Sequence, residues 1–242
     1  MSDPQAKNDL PDLAPLLSQA ILDPHLDQEM LSQSCDAALH FGFGSLCTNL
    51  IQIPAARKRL GSSRTTKLIA VIAFPFGSIP SELKLAQVEW AAAEGAEELD
   101  VVPNYFALSK KNPEPFAEEL ALLCEKGLPV NVILDMAHLP TEKLHIAVNF
   151  ALEAGAKGVQ SGNGFGPEVT PSNILQLTEL VRGRCAIKAA GGVKTLQKAL
   201  DLAKTEECKN LLAEHLPATQ TEATAQSAVS SLRKALKTAE LA

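Results

Sequence analysis

Apolar runs of strand length recur along the chain, and a stretch with helical periodicity follows each of them. The starts of the runs are roughly 25–30 residues apart, which is the length of one βα unit, and about eight such units would fill the chain. The runs are nearly continuous rather than alternating, which indicates strands covered on both faces, as in a parallel sheet. The pattern predicts an α/β fold, a TIM (β/α)8 barrel. The clearest runs are 44–49, 67–75, 97–104, 129–137, 156–162 and 184–191.

The ends of the chain depart from this pattern. We expect an N-terminal extension over 1–16, the barrel over 17–221 and a C-terminal helix over 222–242. Residues 205–221 contain no good strand, so the last βα unit is expected to be irregular.

Composition excludes several classes of partner. With 22 Lys and Arg against 28 Asp and Glu, the net charge of −6 gives no reason to expect nucleic acid or a membrane surface. No apolar run has transmembrane length, and the polar N-terminus is unlike a signal peptide, so a cytoplasmic location is expected. The five cysteines stand singly, as expected for reduced thiols, and the five histidines are dispersed. We expect no metal and no cofactor.

Lys188 interrupts the last of these apolar runs. A charged amine in a buried strand is costly unless it has a partner or a task. Gly191 and Gly192 follow it, and a glycine pair allows a tight turn whose N–H groups can face an anion. The combination favours carbonyl chemistry on a phosphorylated substrate. The alternative is a lysine at a strand end with its ammonium in water.

Asp100 and Gln160 are in equivalent positions of two units. Each lies the same distance after a glycine that is expected to end a helix, Gly95 and Gly155. Both side chains should therefore point the same way at similar depth. A carboxylate buried in mid-strand needs a cationic or hydrogen-bonding partner, and Lys188 is the natural candidate because it is the one lysine well inside an apolar run. By contrast, Lys67 and Lys157 sit at strand starts and are expected to be solvated.

In barrels of this kind the active-site residues lie at the carboxyl ends of the strands. Two candidates there have plain structural explanations. Cys47 is more readily explained as a small strand hydrophobe than as a reactive thiol. Asn163-Gly164 is first a turn, although its N–H groups could also face a ligand. The candidates at this end are Asp23, Cys47, Asp100, Asp135, Gln160, Asn163 and Lys188.

From about Leu22 to Lys204 these stretches resemble the deoxyribose-phosphate aldolase family. The resemblance implies a class I aldolase on a TIM barrel, which condenses acetaldehyde with glyceraldehyde 3-phosphate reversibly through a lysine Schiff base. The order and spacing of the motifs make the set specific. They are Asp23 with His25 and Leu26, Cys47, VIAFPFG, GAEELDVV, VILD, GNGFG and IKAAGGVK.

Carried over residue by residue, the resemblance gives catalytic roles to Asp100, as the proton-shuttling aspartate, and to Lys188, as the second active-site lysine. Gly191 and Gly192 match part of the phosphate cradle. The remaining residues expected to bind substrate are Asp23, Cys47, Gln160, Asn163 and Gly164.

The sequence departs from the family pattern at three places. Gln160 stands where the family has its Schiff-base lysine. On the fifth strand, Asn131 replaces a further lysine and Asp135 replaces a glutamate. The Gly-Thr-Ser segment of the eighth strand, which completes the family's phosphate site, has no counterpart in 205–221.

These departures bear on activity, because a Schiff-base lysine must attack as a neutral amine. Beside Lys188 we expect Asp100, an anion that favours the charged ammonium, and Gln160, which is neutral. Removal of the Lys188 amine from water has the opposite effect, because it favours the neutral form. The sequence thus favours a degenerate homologue that binds a small phosphorylated sugar or aldehyde, or a partner protein, with little or no aldolase turnover.

Two alternatives remain. One is an active divergent aldolase that uses Lys188 to cleave deoxyribose 5-phosphate or a related phosphorylated carbonyl compound. The other is a structural subunit of a hetero-oligomer with an active relative. Either a homo-oligomer or a hetero-oligomer is compatible with the sequence.

Overall fold

Strands and helices alternate throughout the part of the chain that the computed structural model describes, which is residues 14–62, 65–109, 111–203 and 210–214. Ala14–Leu16 is a short 3-10 turn, and the helix expected over 222–242 lies outside these residues. The elements are β1 Leu17–Ile21, α1 Gln28–Phe41, β2 Ser45–Thr48, α2 Ile53–Leu60, β3 Lys67–Ile72, α3 Ser81–Ala93, β4 Glu98–Val101, α4 Glu114–Cys124, β5 Val130–Ile133, α5 Thr141–Glu153, β6 Gly158–Gln160, α6 Pro171–Val181, β7 Ala186–Ala189, α7 Leu196–Ala203 and β8 Asn210–Glu214.

Strands β1 to β7 pair in parallel and in chain order, which forms a curled sheet with the helices outside it. The six predicted runs contain β2 to β7, so the prediction of an α/β fold with a parallel sheet is confirmed. The main core lies between sheet and helices, where outward strand residues such as Leu46, Leu99 and Val132 pack on helix residues such as Val88 and Phe116. The parallel arrangement puts the carboxyl ends of all the strands at one end of the sheet.

The expectation of no strand in 205–221 is wrong. Asn210–Glu214 forms β8, which pairs with Lys188 and Ala189 of β7 and with β1 at the other edge of the sheet. The apolar core of this segment is only Leu211-Leu212-Ala213, too short to stand out from its polar neighbours. Its pairing partners are distant in sequence, and a local pattern does not report them.

The two helix ends that the sequence predicts, at Gly95 and Gly155, are present. Gly95 follows α3 with φ 94° and Gly155 follows α5 with φ 76°, a region of backbone conformation that glycine enters without steric cost. At the start of α6, Thr170 is the N-cap, with its Oγ1 accepting the N–H of Asn173 at 3.2 Å, and Pro171 is the first helical residue. These turns set where β4, β6 and α6 begin.

The expectation that Lys67 and Lys157 are solvated needs correction. Both ammonium groups bind the carboxylate of Glu98, which is buried at the start of β4, and the Lys67–Glu98 distance is 2.7 Å. Lys67 is half exposed and Lys157 one-third exposed. A buried carboxylate needs cationic partners, and these two lysines supply them from the starts of β3 and β6.

Candidate active site

A buried polar cluster centred on Asp100 lies inside the curled sheet. Lys188 Nζ donates to Asp100 Oδ2 at 2.6 Å, and Asn131 Nδ2 donates to Oδ1 at 2.9 Å. Cys47 Sγ lies 3.4 Å from Oδ2. These side chains come from β7, β5, β2 and β4, and residues of four strands that are not all neighbours can meet only on the inner face of the sheet. The contact predicted between Lys188 and Asp100 is therefore present.

Little water reaches this cluster. Lys188 and Asp100 have side-chain exposures of 2% and 1%, and an inner apolar group of Ala20, Ile69, Val71 and Ala190 surrounds Cys47. Burial, reinforced by the negative charge of Asp100, raises the pKa of the Cys47 thiol well above its usual value. Cys47 therefore stays protonated and acts as a weak donor to Asp100. It is both the small hydrophobe that the sequence favoured and a member of the polar cluster.

Gln160 is level with Lys188 on the neighbouring strand and is 1% exposed. Its Nε2 donates to the carbonyl oxygen of Gly162 at 2.8 Å, which fixes the orientation of the amide. Its Oε1 is buried and, within the described part of the chain, accepts no hydrogen bond. An unsatisfied buried carbonyl oxygen is costly, so this atom is ready to accept a donor from a ligand or water.

Three other candidates lie in loops at the carboxyl ends of the strands. Asp23, after β1, is partly exposed and accepts the N–H of His25 at 2.8 Å. Asn163 joins two loops, because its Nδ2 donates to the carbonyl oxygen of Pro75 at 3.1 Å. Gly164 has φ 83°, which agrees with the expected turn. Their roles in binding stay predictions.

The glycine pair after β7 is covered by the segment 167–169. Gly191 and Gly192 have φ values of 115° and 67°, so the predicted tight turn is present. Val169 donates its N–H to the carbonyl oxygen of Gly191 at 2.9 Å. The side chain of Glu168 lies directly against Gly192 and forms an ion pair with Lys198. Sequence reasoning missed Glu168, because nothing in its local pattern reports that it packs on a loop of the next strand.

A cavity of about 330 Å³ opens beside this turn. Its wall includes Asp135, whose Oδ1 lies 2.8 Å from Nδ1 of His138, together with Ser161, Asn163, Glu168 and Gly191. Among the described residues that line this cavity there is no lysine or arginine. Within the described ranges no group of three or more His, Cys, Asp or Glu side chains is placed to hold a metal ion.

A second buried lysine supports β4 from outside the sheet, on a helix rather than in an apolar run. Lys84, on α3, is fully buried and donates to Glu119 Oε1 at 2.8 Å and to the carbonyl oxygen of Val102 at 3.1 Å. Glu119, on α4, also accepts the N–H of Asn104 at 2.7 Å. Burial lowers the pKa of Lys84, and its contact with Glu119 opposes that shift.

The signal for Lys84 was in the sequence. Lys84, Val88 and Ala91 follow the spacing of one helix face, and all three are buried, whereas the apolar side chains of Leu83 and Trp90 are exposed. Glu119, on another helix, balances the charge of Lys84 in the fold.

Curated relatives match most of the chain, although no protein-family model matches it. The chain is 35% identical over 192 residues to the deoxyribose-phosphate aldolase of Trichormus variabilis, a match that covers 79% of this chain and 84% of the relative. It is 32% identical over 197 residues to the deoxyribose-phosphate aldolase of Thermococcus kodakarensis, covering 79% and 88%.

Solved structures with a similar fold include two aldolases. The chain superposes on an aldolase designated QR15 with a TM-score of 0.82 and 23% identity, over 92% of this chain and 96% of the other. It superposes on the tetrameric deoxyribose phosphate aldolase from Aeropyrum pernix with a TM-score of 0.76 and 26% identity, over 91% of both chains. With relatives above 30% identity over more than two thirds of its length, the chain belongs to the deoxyribose-phosphate aldolase family.

Proposed function

We propose that this chain is a deoxyribose-phosphate aldolase homologue that binds a small sugar or aldehyde with little or no aldolase turnover. The observation that carries the proposal is the dry ion pair between Lys188 and Asp100, 2.6 Å apart and almost fully buried. An imine forms only when the amine offers a lone pair to a carbonyl carbon. Here the carboxylate favours the charged ammonium, and an ammonium has no lone pair to offer.

The surroundings of the pair support the same conclusion. Gln160, level with Lys188 on β6, is neutral and cannot favour a neutral amine by charge repulsion. Within the described residues, Lys188 is the one lysine or arginine hydrogen-bonded to Asp100, Asn131 or Cys47. Asp100 also keeps two other donors, so the carboxylate is stabilised as an anion beside the amine.

Reductive trapping tests the proposal. The full chain is incubated with acetaldehyde and borohydride, and the mass of the Lys188 peptide is measured alongside aldol cleavage of deoxyribose 5-phosphate. We expect no ethyl group on Lys188 and no cleavage. Lys188→Met controls for adducts on surface amines. An ethyl adduct on Lys188, or cleavage that Lys188→Met abolishes, would contradict the proposal.

A second candidate function is a divergent aldolase that uses Lys188 for the imine. It is favoured by the direct contact between Lys188 and Asp100, which is the geometry required for proton transfer between an amine and a catalytic acid or base. In this reading desolvation of the amine outweighs the carboxylate, and Asp100 moves protons at the bound substrate. The trapping experiment separates the two functions directly.

The broader expectations accompany this proposal. We propose that the chain closes as a complete (β/α)8 barrel over 17–221, that it works in the cytoplasm without a metal or cofactor, and that Asp23, Asn163 and Gly164 contact the ligand. Within the described residues no helix has both the length and the apolar character to cross a membrane.

The Aeropyrum pernix relative is tetrameric, which supports a homo-oligomer here. Light scattering on the purified full chain tests the oligomeric state.

A further inference from the structure

We propose that a second cavity, between the segments that follow β2 and β3, is a subsite for the apolar group of a neutral aldehyde or ketone. The inference rests on the proposed function as a ligand-binding barrel, and it adds the class of carbonyl compound that the chain prefers. This cavity has a volume of about 460 Å³ and shares no lining residue with the cavity beside Gly191, so the two are separate sites.

The wall of this second cavity is mainly apolar. Among the described residues that line it there is no charged side chain and no histidine. Its two amide side chains are already bonded to the protein. Gln87 Oε1 accepts the N–H of Ala73 at 2.8 Å, and Asn49 Nδ2 donates to the carbonyl oxygen of Leu22 at 3.3 Å. A charged group placed here would lose water without gaining a counter-ion, so the cavity favours a neutral, apolar group. The apolar side chains that line it are Leu50, Ile51, Val71, Phe74, Phe76 and Ile79.

The rim of the cavity exposes several large apolar side chains together. Phe76 is 64% exposed and Ile51 is 84% exposed. The ring of Phe165, from the segment after β6, has its centroid 5.9 Å from the ring centroids of both Phe74 and Phe76. Exposed apolar side chains gathered in one place are typical of a binding site, whereas single ones are common on any surface. A ligand that covers them removes their surface from water, which favours binding.

The cavity lies next to the buried polar cluster. Val71, which lines the cavity, is level with Asp100 on the neighbouring strand β4. Val71 also belongs to the inner apolar group around Cys47, and Phe74 packs on that group. A ligand whose apolar part fills the cavity can therefore direct its polar end towards Asp100 and Lys188. A carbonyl oxygen suits this end, because it only accepts hydrogen bonds and the lysine ammonium only donates them.

The volume of the cavity indicates the size of the apolar group. An apolar cavity of about 150 Å³ holds a benzene ring. The 460 Å³ found here has room for such a ring together with a short chain. Acetaldehyde, with a single methyl group, would leave most of the apolar wall in contact with water. We therefore expect a carbonyl compound that carries an aromatic ring or a comparable aliphatic group.

Titration calorimetry on the full chain tests the inference with two ketones that differ only in the group at the end of the chain, 4-phenyl-2-butanone and 4-hydroxy-2-butanone. We expect the phenyl compound to bind at least about tenfold more tightly, because its ring is removed from water in the cavity. Phe76→Ser should weaken its binding about tenfold, since the substitution removes part of the apolar wall, and should leave the affinity for 4-hydroxy-2-butanone nearly unchanged.

Two further variants make the test specific. Ile51→Asp places a carboxylate on the opposite side of the cavity and should also weaken binding of the phenyl compound about tenfold. Leu175→Ser is the matched control, because it removes a large apolar side chain that is 54% exposed on α6 and does not line the cavity. It should change neither affinity. Melting temperatures show whether each variant is folded, and Ile51→Asp carries the test if Phe76→Ser is not.

Equal affinities of the two ketones would overturn the inference, and so would an equal response of Phe76→Ser, Ile51→Asp and Leu175→Ser. Failure of both ketones to bind overturns it as well, whereas the proposed lack of turnover is decided by the trapping experiment alone. If borohydride attaches 4-phenyl-2-butanone to Lys188, the proposed lack of imine chemistry is wrong. The subsite is still supported in that case if the phenyl compound binds more tightly and the two cavity variants weaken it.

Discussion

Lys188 on β7 and Asp100 on β4 are separated by two strands of the sheet, β5 and β6, yet their side chains meet at 2.6 Å across its interior. Breaking such a pair leaves a buried charge without its counter-ion. Lys188→Met should therefore lower the free energy of unfolding by about 3 kcal/mol. The decrease is limited because Asn131 and Cys47 still donate to the Asp100 carboxylate. Urea unfolding of the natural chain and of Lys188→Met measures the difference.

The double variant Lys188→Met/Asp100→Asn tests the cause. It removes both charges, and the asparagine amide can keep contact with Asn131, so it should be more stable than Lys188→Met alone. A double variant as unstable as the sum of the two single variants would show that no coupling exists between these residues.

Lys84→Met should destabilise the fold even though the residue lies outside the sheet. It leaves the carboxylate of Glu119, which is 2% exposed, without its cation, at a cost of about 3–5 kcal/mol. Lys126→Met is the matched control, because Lys126 forms an exposed ion pair with Glu89 that contributes less than about 1 kcal/mol. Equal melting temperatures of the two variants would be inconsistent with the buried pair.

Glu98 should make stability fall in acid. Burial opposes its ionisation, but hydrogen bonds from Lys157 and Lys67 outweigh burial and hold the pKa of Glu98 below its usual 4.5. The unfolded chain therefore takes up the proton first, and the stability from this group is present above about pH 4.5 and lost as the pH falls through the folded-state pKa. The stability advantage of the natural chain over Glu98→Gln should shrink from pH 6 to pH 3, whereas Glu89→Gln should show little such change.

The contact between Glu168 and Gly192 has its own test in glycine substitutions. Gly183→Ala places a Cβ at φ 71° with nothing within 4 Å, so it should cost about 1–2 kcal/mol from backbone strain alone. Gly192→Ala has a similar φ and also drives a Cβ into Glu168, which should add about 1–3 kcal/mol. Pairing Gly192→Ala with Glu168→Ala should recover the added part, and chemical denaturation compares all four chains.

Gln160→Lys should create a trappable amine. It places a second amine level with Lys188, and repulsion between two cations favours the neutral form of one of them. We expect an ethyl adduct after acetaldehyde and borohydride in this variant and none in Gln160→Met. Turnover of deoxyribose 5-phosphate should stay low because the Gly-Thr-Ser segment that the family uses in its phosphate site has no counterpart in 205–221. High turnover would show that this segment is not needed.

Much of the fold and the centre of the site follow from local patterns. Continuous apolar runs at regular spacing predict β2 to β7, and glycines at Gly95 and Gly155 predict two helix ends. Lys188 and Asp100 could be paired from sequence because each is a charge inside an apolar run, and buried opposite charges have strong reason to meet.

The parts of the fold and of the site that local patterns do not predict depend on contacts between residues far apart in the sequence. β8 is found only with its partners β7 and β1, since its own apolar core is very short. Lys84 was missed because its burial depends on Glu119, a residue of another helix. The position of Glu168 over Gly192 depends on how the loop after β6 packs on the loop after β7, which no spacing encodes. The functional assignments of the site residues stay predictions.

The Lys84–Glu119 pair has a consequence for redesign of the loop after β4. That pair holds the backbone at Val102 and Asn104, so two outer helices support the segment that follows Asp100 on β4. A loop grafted from a relative between β4 and α4 would lose its anchor unless matching segments of α3 and α4 were transplanted with it. Exchange of the loop together with the contacting segments of α3 and α4, rather than of the loop alone, would keep these contacts.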